Sequence, residues 1–125
     1  SLYNQYVNNK NDEMLRDASP VQVAMLQKYA KSIGDYETMY ALFAESTTVR
    51  TFDEWYALNK STDTKQKRQW SIYEAHLLQK ATFNEDVNQL LVIDERTKER
   101  KYAMNMVKEN GVWKVKYETI INVNY

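Results

Sequence analysis

The sequence predicts an α+β domain in which three helices come first and an antiparallel sheet follows. In the first half of the chain, apolar residues recur at helical spacing between clear start and stop signals. From Gln69 onwards, apolar and polar residues alternate with a period of two, which is typical of strands. Asn110-Gly111 is the strongest kind of short hairpin signal. Helices followed by a run of strands indicate the α+β class.

Composition limits the function classes that remain. A chain of 125 residues with 43% hydrophobic and 27% charged residues predicts one folded domain. The 17 basic and 17 acidic residues cancel, so we expect no nucleic-acid partner, because such proteins usually carry a basic excess. The sequence has no cysteine, which excludes disulfides, thiolate metal sites and a cysteine nucleophile.

The chain divides into two parts by composition. Residues 1–18 are rich in Asn and charge, and we interpret them as a linker or tether helix. The simpler interpretation is a linker or a fraying helix. The more specific interpretation is a tether that connects the domain to a membrane anchor. Residues 19–125 form the predicted folded domain. No stretch of the sequence approaches the length of a membrane span.

Two helices follow the linker. Ser19 can cap the first, with Pro20 at its first position and Gln22 completing a capping box. Gly34 fits the left-handed position that ends such a helix, and Asp35 can cap the next one. The apolar stripe of the first helix is Val23, Leu26, Ala30 and Ile33, and the second helix buries Tyr36, Met39, Tyr40 and Phe43.

A third, short helix begins at "TFDE", where Thr51 and Glu54 form a second capping box. Its apolar residues are Phe52, Trp55, Tyr56 and Leu58. The β-branched stretch 46–50 before it predicts a short strand, and the polar stretch 59–68 after it predicts a loop.

Four strands are predicted in the second half of the chain, near 69–83, 86–95, 99–109 and 112–121. On the last two strands, one face is apolar and the other is polar, so one side packs inward and the other meets water. The inward set is Tyr102, Met104, Met106, Trp113, Val115 and Tyr117, and the polar set of the last strand is Lys114, Lys116 and Glu118.

The order of these segments resembles the nuclear transport factor 2-like superfamily, which has a cystatin-like α+β cone. The segments that carry the resemblance are "GDYETMYALFAE", "TFDEWYAL" and "VKENGVWKVKY", within residues 19–121. The resemblance implies a strongly bent antiparallel sheet with three helices packed in its concave face and a pocket inside. Dimers through the open sheet face are common in that superfamily, so a homodimer is one expectation.

Within the superfamily, the chain looks most like the bacterial extracytoplasmic branch, which includes the N-terminal domain of methicillin-resistance penicillin-binding proteins. Met39-Tyr40 and Trp113-Lys114-Val115 carry this likeness. It implies a bacterial protein outside the cytoplasm or anchored to the membrane; a cytoplasmic protein is the alternative.

Enzymes of the superfamily place acids, bases or tyrosines inside the cone, and Glu74 and His76 are the candidates here. If that face of strand 69–83 points inward, the two side chains lie side by side and can do general acid–base work. If the other apolar set of this strand is buried instead, both are solvated. If both side chains are solvated, the sequence offers no candidate catalytic residue.

The many aromatic residues allow two readings. Most can simply pack in the core, or some can line a pocket for an apolar or peptide ligand. The pocket candidates are Tyr29, Tyr40, Trp55, Trp70, Trp113 and Tyr117.

From these patterns we expect a non-catalytic binding or scaffolding module, with a protein partner or a small apolar ligand. The alternative is a small-molecule lyase or isomerase that uses Glu74, His76 and a tyrosine. One histidine without cysteine cannot build a usual zinc site, and two glycines cannot form a phosphate-binding loop. We therefore predict no metal and no cofactor.

Overall fold

The computed structural model describes residues 1–118, in which α-helices precede an antiparallel sheet. The helices are α1 (Leu2–Asn9), α2 (Pro20–Ser32), α3 (Tyr36–Ala41), α4 (Phe52–Lys60) and α5 (Lys65–Leu78), with 3-10 turns at Asp12–Leu15 and Glu45–Thr47. The strands are β1 (Thr82–Asn84), β2 (Gln89–Ile93), β3 (Arg100–Glu109) and β4 (Val112–Val115). The predicted α+β class is confirmed. The predicted strand 112–121 is shorter in the structure, where β4 ends at Val115, and residues 119–121 lie outside the described residues.

The predicted starts of the helices in the first half are confirmed by their caps, but the second predicted helix is shorter than expected, because α3 ends at Ala41, before Phe43. Ser19 and Gln22 form a reciprocal capping box at the start of α2, and Thr51 and Glu54 form another at the start of α4. The Asp35 side chain accepts a hydrogen bond from the backbone N–H of Thr38 and so caps α3. These caps satisfy backbone N–H groups that have no partner inside the helix.

Gly34 separates α2 from α3 because it adopts a left-handed backbone, with φ at 74°. A Cβ atom at this position would also meet the guanidinium group of Arg68. We expect Gly34→Ala to lower the free energy of unfolding by about 1–3 kcal/mol, since both the backbone and Arg68 must adjust. Chemical denaturation of this variant beside Ser32→Ala measures the effect; equal stability of the two would contradict it.

The predicted strand 69–83 is wrong, because residues 65–78 form α5 and only Thr82–Asn84 are a strand. The Thr64 side chain accepts a hydrogen bond from the Lys67 backbone and starts the helix. The buried residues of α5 are Ser71, Glu74 and Leu78, a helical spacing that turns one face towards α2. Packing of that face against α2 outweighs the period-two pattern.

Two smaller predictions between the helices are also corrected. Residues 46–50 are not a strand: the chain forms a 3-10 turn at Glu45–Thr47, where the hydroxyls of Thr47 and Thr48 donate to the carbonyl oxygen of Ala44. Such side-chain bonds offer the backbone an alternative to sheet pairing. The predicted loop 59–68 shortens to the few residues between α4 and α5.

The sheet is a meander in the order β1-β2-β3-β4. Its register places Leu90 opposite Met104 and Met106 opposite Val115, so the apolar residues of neighbouring strands share the core face. The outer edge of β4 is covered by main chain: the N–H of Ala44 donates to the carbonyl of Val115 (2.7 Å), and the N–H of Val115 donates to that of Leu42 (2.9 Å).

The core extends beyond the sheet and α2. Tyr6 of α1 and Leu15 of the first 3-10 turn are fully buried in it, so a few apolar residues of the predicted linker segment belong to the core. Lys114, which we expected on the wet face of the last strand, is buried as well. Its Nζ donates to the carbonyl oxygen of Ala41 at 2.7 Å and lies 3.1 Å from Asp12 Oδ1.

Candidate functional site

Three of the six predicted pocket residues lie in one aromatic cluster. Tyr40 of α3 and Trp55 of α4 have ring centroids 5.5 Å apart. Phe43 links them to Tyr117, with its ring 5.8 Å from Trp55 and 5.0 Å from Tyr117. Most of these ring pairs meet edge to face, the arrangement that aromatic quadrupoles favour. The cluster is therefore a packed part of the protein interior.

The other three predicted pocket residues lie elsewhere. Trp113 packs edge-on against Phe83 at 5.0 Å. Trp70 lies on α5 beside Tyr73, and Tyr29 lies on α2 against Tyr3, both with about half of the residue exposed. Trp70 was expected in the pocket because residues 69–83 were predicted to be a strand, whereas Trp70 lies on helix α5.

A cavity of about 50 Å³ lies beside the aromatic cluster. Its lining joins apolar residues, Met39 and Trp55 among them, to the amides of Gln27 and Asn59 and the amine of Lys31. Pockets for drug-sized ligands usually enclose about 300–1,000 Å³. The interior therefore has room for a few atoms, but not for the apolar ligand that a wide aromatic pocket would hold.

Glu74 and His76 do not form the expected pair. Side chains two positions apart on a helix differ by about 200° in direction, so Glu74 and His76 point to opposite sides of α5. Glu74 is fully buried and lies 3.3 Å from Lys28 Nζ of α2, whereas His76 is exposed. The partner of Glu74 is thus a lysine on the neighbouring helix.

Two further lysines, Lys31 and Lys67, lie near this ion pair. The pKa of Lys31 is lowered to about 8, mainly by burial and then by the charge of Lys28, with Lys67 adding to this effect and Glu74 opposing it. Sequence reasoning missed this group. The available signal was the spacing of Lys28 and Lys31, which places the two lysines about one turn apart on the same side of α2.

A larger depression, which shares Phe43 with the cavity beside the aromatic cluster, has a volume of about 620 Å³. We call it the groove. It runs between the N-terminal helices, the segment after α3 and β4. Its lining residues are Tyr6, Lys10, Asp12, Tyr40, Ala41, Phe43, Glu45, Thr48, Val49, Arg50, Thr51 and Lys114.

Hydrogen bonds hold the walls of the groove. Tyr40 donates to the carbonyl oxygen of Arg50 at 2.6 Å, and the Arg50 guanidinium donates to the hydroxyl of Tyr117 at 2.9 Å. On the opposite wall, Asp12 accepts from Tyr6 and pairs with Lys114. Burial raises the pKa of Tyr6, and the nearby Asp12 carboxylate raises it further. The Tyr6 hydroxyl therefore stays neutral and donates its hydrogen bond. The groove is preformed and offers charges of both signs.

Two other features are absent from the described residues. Within residues 1–118, no group of three or more His, Asp or Glu side chains is placed to hold a metal ion. None of the helices in this part of the chain is long and apolar enough to cross a membrane. The chain matches no known protein family, no curated protein and no solved structure.

Proposed function

We propose that this protein is a non-catalytic binding module whose groove holds a segment of a protein partner. The observation that carries the proposal is the contrast in size between the two depressions. The groove measures about 620 Å³, whereas the cavity beside the aromatic cluster measures about 50 Å³. Of these two depressions in residues 1–118, the groove is the one with the volume that binding sites usually have.

The chemistry of the groove favours a peptide segment over a small apolar ligand. Tyr40 and Phe43, both half-buried, supply aromatic surface, which is enriched at protein interfaces. Cations and carboxylates stand on the walls, and they match the mixed polarity of a peptide better than a uniform hydrocarbon. An extended peptide segment would place its apolar side chains against the aromatic rings of the groove. Its charged side chains would pair with the charged residues on the walls.

Val49 provides a test because it lines the groove and is 71% exposed, so its replacement leaves the core intact. Peptides selected from a random display library on the unaltered chain should bind Val49→Asp at least about tenfold more weakly, since a carboxylate would be desolvated against the bound segment. Titration calorimetry or fluorescence anisotropy measures the affinity.

Val87→Asp is the matched control, because Val87 is 61% exposed in the turn before β2 and does not line the groove. It should bind the selected peptides as the unaltered chain does. Equal losses in both variants, or no loss in Val49→Asp, would contradict the proposal. So would a library that yields no binding peptide.

We also propose a distant relation to the nuclear transport factor 2-like superfamily and a place outside the cytoplasm of a bacterium, with a homodimer as one assembly. The Gly34-Asp35 break, the Thr51-capped helix and the Asn110-Gly111 hairpin support the relation. The helix α5 in place of a first long strand departs from it. An experimental structure that resolves residues 1–125 tests whether the sheet bends around α2, α3 and α4.

A further inference from the structure

Arg50 stands on one wall of the groove, next to Val49 in the chain, and is half-buried there. Two hydrogen bonds hold this residue at both ends. Its carbonyl oxygen accepts from the Tyr40 hydroxyl at 2.6 Å, and its guanidinium donates to the Tyr117 hydroxyl at 2.9 Å. Because the backbone and the tip of the side chain are both fixed, little side-chain freedom is left to lose when a segment binds.

Most of the hydrogen-bonding capacity of Arg50 is open within residues 1–118. A guanidinium has five N–H donors, and the bond to Tyr117 uses one of them. Arg50 takes part in none of the ion pairs of the described residues. Hydrogen bonds with Thr51 lower the pKa of Glu54, and the charge of Arg50 adds to this effect. The Glu54 carboxylate, however, accepts from the Thr51 N–H in the cap of α4.

The other charges of the groove are paired or screened. Lys114 is buried and lies 3.1 Å from Asp12, and Lys10 lies 4.0 Å from a glutamate of α3. Glu45 is exposed, so water and salt screen its charge. Among the described residues that line the groove, Arg50 is thus the half-buried charge without a carboxylate partner.

We propose that Arg50 makes the groove selective for segments with an aspartate or glutamate side chain, which the guanidinium binds through two parallel hydrogen bonds. This inference rests on the proposed function and names the class of segment, an acidic one. The planar set of N–H donors matches the two oxygens of a carboxylate. A bound segment excludes water from the half-buried guanidinium, so a segment without an acid would leave donors unpaired. The segment runs along the groove, and its side chains therefore meet the wall.

The experiment uses peptides selected on the unaltered chain from a random library in which the C-terminus of each peptide is blocked. The selected peptides should share an aspartate or glutamate at one position. Synthetic amidated copies in which this acid is changed to its amide should bind at least about tenfold more weakly, the usual effect of losing a hydrogen bond between charged groups. Titration calorimetry measures both affinities.

Arg50→Gln should lose affinity for the acidic peptides by a similar factor. It should bind the acid and amide forms within about twofold of each other, since both changes remove the same contact. Arg96→Gln is the matched control, because Arg96 is exposed in the turn between β2 and β3 and does not line the groove. It should keep the full preference for the acid.

Tyr117→Phe is a second variant that leaves Arg50 in place. It removes the hydroxyl that holds the guanidinium, so the preference for the acid should fall several-fold. Circular dichroism checks that each variant is folded. If Arg50→Gln does not fold, the result for Tyr117→Phe decides.

Selected peptides without a shared acid, or a preference for the acid that persists in Arg50→Gln, would overturn this inference and leave the binding module standing. The same conclusion would follow if a free C-terminal carboxylate or a phosphoserine, placed at the position of the acid, bound more tightly than the acidic side chain. A library that yields no binding peptide would overturn both proposals.

Discussion

Replacing Glu74 with glutamine is expected to lower the free energy of unfolding by about 3–5 kcal/mol, since it removes one partner of a buried ion pair. Lys28 and Glu74 have side chains only 7% and 0% exposed and lie 3.3 Å apart across the α2–α5 contact. The variant keeps the shape of the side chain but leaves the Lys28 ammonium buried without this carboxylate. Urea denaturation followed by circular dichroism measures the loss.

The matched control is Glu13→Gln, which breaks the exposed pair between Glu13 and Arg16. Exposed pairs are screened by water and contribute little, so this change should be small. The double variant Lys28→Met with Glu74→Leu should recover most of the stability, because apolar residues can replace a buried pair. If Glu74→Gln unfolds with the stability of the unaltered chain, the ion pair does not hold α5 to α2.

Replacing Trp55 with alanine should lower the free energy of unfolding by about 3–5 kcal/mol, the usual effect of removing a buried aromatic side chain. Trp55 is 2% exposed and contacts rings from α3, its own helix and the segment after α3. Its loss would enlarge the adjoining 50 Å³ cavity rather than let the neighbours close over it. Guanidinium denaturation, followed by the fluorescence of the remaining tryptophans, measures the change.

Trp70→Ala gives the comparison within the same chain, because Trp70 is 47% exposed on α5. We expect it to cost less than about 1 kcal/mol, since surface substitutions away from special features have small effects. Similar losses in the two variants would mean that the aromatic cluster around Trp55 is not a tightly packed part of the core.

Local rules predicted the first half of the fold well. Ser19 with Gln22 and Thr51 with Glu54 act within three residues of each other, so the sequence alone specifies their hydrogen bonds. Gly34 and the hairpin at Asn110-Gly111 are likewise set by backbone conformations that few residues adopt. None of these features depends on a distant part of the chain.

The error at α5 has a different cause. Alternation between Trp70 and Leu78 imitates a strand, because helical and pleated spacings coincide over short windows. A helix signal was also present: Thr64 is a good cap, and among residues 65–78 only Ile72 is β-branched. The burial of Glu74 against Lys28 is set by tertiary packing, which a period count does not contain.

The candidate site was predictable only in part. Tyr40, Trp55 and Tyr117 do come together, because large aromatic residues on amphipathic elements turn inward. The groove and the cavity beside the aromatic cluster are assembled from residues far apart in the chain, such as Lys10 with Lys114 and Lys31 with Lys116. Their positions follow from how the helices pack on the sheet, and the erroneous strand hid that arrangement.

The covered edge of β4 also bears on how this protein behaves when concentrated. An uncovered strand edge is a template on which other chains can add strands and aggregate. Residues 42–44 occupy both backbone groups of Val115 on that edge, so an incoming strand would first have to displace them. Among residues 1–118, the opposite edge is β1, which offers only three residues for pairing. Both edges of the described sheet therefore resist the addition of further strands, which limits fibril-like growth.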